Sequence, residues 1–163
     1  DFAEVPPPKF KRLTIGGEVR LMGAYIVKCE SVEKNPDGSI AAIHCTADLE
    51  TGNGNPADGR KVKGTIHWVD AETAAEAEVR LYASLFTEAD PEGGEEDFLA
   101  CLNRDSLETL TGCKVEADLA CAAAPQAFQF LRLGYFCVDN VDSRPGHLVF
   151  NRSVSLKDSF KKG

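Results

Sequence analysis

The sequence predicts a mainly β chain folded as two small β-barrels with short helical inserts. Two observations lead there. Apolar residues recur with a period near two through most of the chain, and clusters of Gly, Pro, Asn and Asp punctuate those stretches. Closed barrels are favoured over an open sheet because closure leaves no strand edge exposed. With 163 residues and 43% apolar content, the chain can build one ordinary domain or two small ones around a packed core.

The elements follow in order. The opening DFAEVPPP carries three consecutive prolines, which cannot continue a helix, so residues 1–10 are expected to form an extended linker. From Glu18 to Val32, Leu21, Gly23, Tyr25, Val27 and Cys29 fall on one face of a strand. Asn35, Pro36, Asp37 and Gly38 supply a turn, and Ile40–Ala47 alternates again, giving a hairpin. After the loop from Thr51 to Gly59, a third strand is expected over Val62–Val69 and a fourth over Glu78–Phe86, with Ala71–Ala77 between them as a short helix rich in Ala and Glu.

The Gly-, Pro- and acid-rich stretch from Thr87 to Glu96 marks the expected boundary, dividing a first barrel over residues 11–90 from a second over 91–163. Asp97–Leu102 reads as one or two helical turns capped by Asp97. Strands are then expected over Glu108–Val115, Ala127–Leu133, Tyr135–Val138 and Leu148–Leu156.

A formal charge of -8 argues against a non-specific nucleic-acid binder, which is usually basic. The charge is unevenly spread, however. Acid gathers between Glu72 and Asp97, whereas Lys9, Lys11, Arg12 and Arg20 form one basic cluster and Arg60, Lys61 and Lys63 another. The six cysteines lack the paired spacing of a zinc ribbon and are expected to be buried free thiols in a reducing cytosol. The chain opens at Asp1, and it shows neither a secretory leader nor an apolar run of membrane-spanning length, so it is expected to be a piece of a longer cytoplasmic protein.

Four segments crowd cations together with Gln, aromatics and glycines: KFKRLTIGGEVRL (Lys9–Leu21), DGRKVKGTIHW (Asp58–Trp68), FQFLRLGYFCVDN (Phe128–Asn140) and FNRSVSLKDSF (Phe150–Phe160). Those are the groups that neutralise phosphates and hold unstacked bases. In this order, over nearly the whole chain, they resemble the anticodon-binding region of the glutaminyl-tRNA synthetases, class I aminoacyl-tRNA synthetases. The resemblance also implies two β-barrels, the second partial because the family takes some of its strands from upstream of where this chain begins.

Roles carried by the resemblance are specific. Arg12 stands where the family meets the third anticodon base, with Lys11 beside it for the phosphate backbone. Gln129 and Arg132 match positions that hold the middle base, and a buried amide suits a uridine edge. Arg20 matches an arginine near the first base, and Lys157 a basic residue near the anticodon stem. Met22 and Lys9 depart from the family pattern. Arg60 and Lys61, on a turn feeding a strand, are further candidate backbone contacts; Trp68 is expected in the core, and His67 inside the barrel without a site role. The resemblance implies the anticodon stem-loop of a glutamine tRNA as partner, together with the parent's own catalytic domain, in a monomeric ligase. ATP and Mg belong to that catalytic domain, since this chain has neither its signature motifs nor a Gly-rich phosphate cradle; no cofactor, metal or catalytic residue is expected here.

Three other readings stand beside this one. The first is the anticodon-binding region of a glutamyl-tRNA synthetase. The second is a protein-interaction barrel without RNA binding. The third is a thiol enzyme using Cys137, Asp139 and His147, disfavoured because Cys137 lies in an apolar strand that makes a thiol inert.

Overall fold

The computed structural model describes residues 1–93 and 97–156. The chain divides into two compact units, Asp1–Trp68 and Val69–Gly163.

In the first unit, β1 (Glu18–Leu21), β2 (Ile26–Lys34), β3 (Ile40–Asp48) and β4 (Thr65–Ile66) form one sheet in the order β3-β2-β1-β4. The strand expected over Glu18–Val32 is broken into a hairpin. Gly23 takes a φ of 72°, Ala24 N–H donates to the Leu21 carbonyl at 2.9 Å, and Val19 then pairs with Val27. The turn at 35–38 forms as expected, Gly38 N–H donating to the Asn35 carbonyl at 2.9 Å. The strand expected over Val62–Val69 shrinks to two residues, because only Thr65 and Ile66 find parallel partners on β1. Leu13, Val19, Val27 and Cys29 form the core, and the segment expected as a linker is tied to it: Leu13 N–H donates to the Asp1 carbonyl at 3.0 Å and Ala3 N–H to the Leu13 carbonyl at 3.1 Å.

The second unit holds β5 (Ala75–Tyr82), β6 (Leu107–Val115), β7 (Ala127–Phe130), β8 (Gly134–Val138) and β9 (Leu148–Ser155), ordered β6-β5-β9-β8-β7. The helix expected over Ala71–Ala77 is absent: residues 71–73 form a turn and Ala75–Ala77 open β5. Helix propensity loses here to strand pairing, since Ala77 faces Cys113 in register and is buried in the core. The strand expected to close the first half therefore belongs to the second sheet. Asp97 does cap a short 3₁₀ turn, Phe98–Cys101, its carboxylate accepting from Leu99 N–H at 3.0 Å; a second 3₁₀ turn covers Ala117–Cys121. Ala77, Val79, Val115, Phe136, Val138, Leu148 and Phe150 make the core, each large side chain contributing roughly 1.5 to 3 kcal/mol on burial. The described strand pairings give two sheets and do not include the pairings that would close either into a barrel.

A polar node fixes the turn after β8. Asp139 Oδ1 accepts from the backbone N–H groups of Val141 at 2.8 Å and Asp142 at 2.7 Å, and Oδ2 accepts from Asn151 Nδ2 at 2.6 Å. These donors, the Asp142 N–H foremost, hold its carboxyl below the usual range. Arg80 completes the node with contacts to Glu78 at 2.7 Å, Asp142 at 2.8 Å and Asp139 at 3.7 Å.

Asp139→Ala is expected to destabilise this unit by about 2 to 3 kcal/mol, the scale of hydrogen bonds to a charged group. A depressed carboxyl gives its full stabilisation above the unfolded pKa of about 3.9 and loses it as pH falls through the folded value. Urea unfolding followed from pH 7 to pH 3 should therefore show a weaker acid dependence in the variant than in the parent.

Candidate nucleic-acid interface

In the first unit, a turn lifts the Lys9–Arg12 segment against the sheet. Phe10 N–H donates to the Pro7 carbonyl at 3.1 Å, with Lys9 at a φ of 66°. Gly64 permits the approach. A Cβ there would overlap the Lys11 carbonyl oxygen and come within 2.9 Å of Val19 Cγ1, while the Gly64 carbonyl accepts from Arg20 N–H at 2.9 Å. The result is a pocket of about 340 Å³ with Lys9, Lys11, Arg12 and Lys63 on its walls, Phe10 and Pro7 as apolar lining, and Glu18 as its acid.

Glu18 is taken up by a cation from outside the pocket. Arg60 Nε donates to its two carboxylate oxygens at 3.1 and 3.2 Å, Nη2 reaches Asp48 at 2.5 Å and Nη1 reaches Asp58 at 2.7 Å. These contacts, that to Asp48 foremost, push the Arg60 guanidinium further up, while the Arg60 backbone N–H and then its guanidinium hold the Asp58 carboxyl down. Arg12, by contrast, pairs with the exposed Asp1 carboxylate at 2.7 Å, with half of each side chain in solvent. An exposed pair of that kind contributes little and exchanges readily for another anion.

The expected contacts therefore separate. Lys11 and Arg12 come together in the pocket, where they are joined by Lys63, which the sequence reading noted as basic without assigning it a site. Arg20 is engaged elsewhere: its guanidinium donates to the carbonyls of Ala24 at 3.1 Å, Gly52 at 2.8 Å and Gly54, pinning the loop at 51–54 to β1. Arg60 is occupied by three carboxylates, and Lys61 is exposed beside it. Trp68, expected in the core, keeps 43% of its surface exposed while Nε1 donates to the Met22 carbonyl at 3.0 Å, and His67 is exposed as well.

In the second unit, alternation on β7 sets the site. Phe128 and Phe130 turn inward, Phe130 stacking on Phe136 at 4.4 Å and meeting Phe150 edge-on at 5.3 Å. Gln129 consequently points outward and is exposed, a correction to the buried amide expected. Its cross-strand partner is Tyr135, also exposed and in turn paired with Val154, so an aromatic side chain adjoins the amide. Tyr135 was not among the expected site residues, although its place beside the inward Phe136 on β8 puts it on the outer face. Arg132 sits in the turn between β7 and β8 with a φ of 65°. Lys157 lies outside the described residues. Cys137, Asp139 and His147 form no triad: the thiol faces the Asn151 carbonyl at 3.6 Å and Asp139 is held as described above.

Two profiles described as "tRNA synthetases class I (E and Q), anti-codon binding domain" match the chain, one over residues 65–139 and the other over residues 1–48. The chain belongs to this family. Among curated relatives of this anticodon-binding domain, a glutamine–tRNA ligase of Vibrio parahaemolyticus is 54% identical over 162 residues, covering 99% of this chain and 29% of the relative. Another from Pseudomonas aeruginosa is 52% identical over 165 residues, covering 100% of the chain and 30% of the relative. One from Stutzerimonas stutzeri is 52% identical over 98% of the chain and 29% of its own length. The chain thus spans about 30% of the length of the relatives it matches.

Because the pocket depends on Gly64 lacking a side chain, Gly64→Ala is expected to cost about 1 to 3 kcal/mol through overpacking. Denaturant unfolding checks this, and Gly59→Ala, where nothing lies within 4 Å, provides the comparison for a glycine constrained by its φ of 74° alone.

Proposed function

We propose that this chain reads the anticodon of a glutamine tRNA for a cytoplasmic, monomeric ligase that joins glutamine to it with ATP. The observation that carries the reading is the pocket: four cations around an aromatic side chain, its acid neutralised from behind, on a protein of net charge -8. Relatives named glutamine–tRNA ligase along the full chain length support glutamine over glutamate as the amino acid. Lys9, Lys11 and Lys63 meet phosphates while Arg12 donates to the third anticodon base. Gln129 and Arg132 hold the middle base, and Lys61 and Lys157 make outlying phosphate contacts. Arg20 and Arg60 act on the protein, one shaping the 51–54 loop and the other masking acid.

We infer further that each sheet is a wall of one anticodon-binding barrel, the second completed by other parts of the ligase. RNA contacts then divide between units 1–68 and 69–163. ATP and Mg act in the ligase's catalytic domain. Among the described residues, no group of three or more His, Cys, Asp or Glu side chains is arranged to hold a metal ion.

Glutamine and glutamate anticodons differ at the third base, guanine against cytosine. A guanidinium donates two hydrogen bonds to the guanine acceptors, and a good pair of this kind discriminates by roughly 1 to 3 kcal/mol. Arg12→Ala in the complete ligase is expected to erode preference for the guanine-ending anticodon by about that amount, leaving glutamine activation intact. Equal loss for both anticodons would reduce Arg12 to a phosphate contact.

Lys63→Met should instead weaken both stem-loops alike. It should also flatten the dependence of log affinity on log salt by about 0.7, the share of one phosphate on a single strand. Arg60→Met should lower the melting temperature and leave that salt slope unchanged.

A further inference from the structure

Cys29 and Cys45 face each other across β2 and β3. The backbone of Cys29 bonds the other way: its N–H donates to the Gly17 carbonyl at 3.1 Å, and its carbonyl accepts from Gly16 N–H at 2.9 Å. Towards β3 it is therefore a non-hydrogen-bonded position, where opposed Cα atoms approach to about 4.5 Å, at the short end of the range of about 4.4 to 6.8 Å that a disulfide spans. The two thiols differ in access. Cys29 is fully buried in the core of the unit, whereas Cys45 is exposed near the sheet edge. Burial of Cys45 and the adjoining Cys29 both push the Cys45 thiol up.

We propose that Cys29 and Cys45 form a thiol–disulfide modification site that exchanges with low-molecular-weight disulfides. Cys45 acts first, because a fully buried Cys29 cannot meet a tripeptide disulfide. The Cys45 thiolate attacks one sulfur of oxidised glutathione, the glutathione S–S bond breaks, and one glutathione thiolate leaves. The Cys29 thiolate then attacks the Cys45 sulfur of the mixed disulfide and expels the second glutathione. Two thiol protons pass to the two departing thiolates; the protein loses two electrons and oxidised glutathione gains them. Each exchange step is reversible, so excess reduced glutathione returns both thiols by mass action. The modification sits directly behind the Gly16–Gly17 turn, and Gly17 lines the basic pocket.

Trypsin separates the two cysteines, cutting after Lys28, Lys34 and Arg60 to leave Cys29 in peptide 29–34 and Cys45 in peptide 35–60. The native protein is equilibrated with oxidised and reduced glutathione, alkylated, digested without reduction and examined by mass spectrometry. The expected product is peptide 29–34 joined to 35–60, absent from Cys45→Ser, retained in Cys121→Ser, and lost on adding reduced glutathione. Glutathione adducts at Cys45 or Cys121 without the joined pair would overturn the proposal, as would linkage of Cys29 to any other cysteine. Cys45→Ser alters an exposed residue, so its far-ultraviolet dichroism should match that of the parent and exclude misfolding as the cause.

Discussion

An acidic protein that receives a polyanion must first take its own carboxylates out of play near the binding surface. Arg60, engaged in the protein's own contacts, meets that constraint at the pocket of the first unit. Arg60 gathers Glu18, Asp48 and Asp58 around one guanidinium, drawing on β1, the end of β3 and the loop before β4. In the second unit Arg80 gathers Glu78 and Asp142, with Asp139 close by, and so fixes the turn after β8. Guanidinium suits this work because it is charged at every relevant pH and offers several donors in a fixed plane. Lysines, each a single strongly hydrated charge on a flexible stem, line the pocket beside Arg12.

This division also explains what the sequence could and could not disclose. The cluster Lys9, Lys11, Arg12 was legible because its residues are neighbours in the chain. The second cluster was less legible, because Arg60, Lys61 and Lys63 look equivalent in sequence while their surroundings depend on distant residues. Glu18 and Asp48 lie 42 and 12 positions from Arg60, yet they bind it; Lys63 escapes them and joins the pocket instead. The contacts of Arg20 were hidden for the same reason, since carbonyls at Gly52 and Gly54 meet it only once the loop has folded.

The fold was legible wherever alternation alone decides. β6, β8 and β9 fall within a residue or so of their expected bounds because their inward residues, such as Val115, Phe136, Val138, Leu148 and Phe150, form the core of their own sheet. Expectation failed where a competing pairing decides. Ala71–Ala77 has helical composition, yet strand register places Ala77 against Cys113, and a small side chain is what the core admits there. The parallel pairing of β1 with β4, and of β5 with β9, was likewise invisible, because period-two alternation carries no information about strand direction.

Backbone conformation adds a last constraint on where the RNA contacts lie. Among the described residues, the non-glycine residues with positive φ are Lys9 at 66° and Arg132 at 65°. A left-handed backbone costs a non-glycine residue about 1 to 2 kcal/mol, and glycine would occupy either turn without that cost. One lies at the turn that raises Lys11 and Arg12 over the pocket, and the other at the turn between Gln129 and Tyr135. In both, a long exposed cation stands in the turn. Strain retained in such a turn is a reason to look for function there. That it falls at both proposed RNA contacts, on cations each time, connects the local backbone to the chemistry of binding in the two units separately.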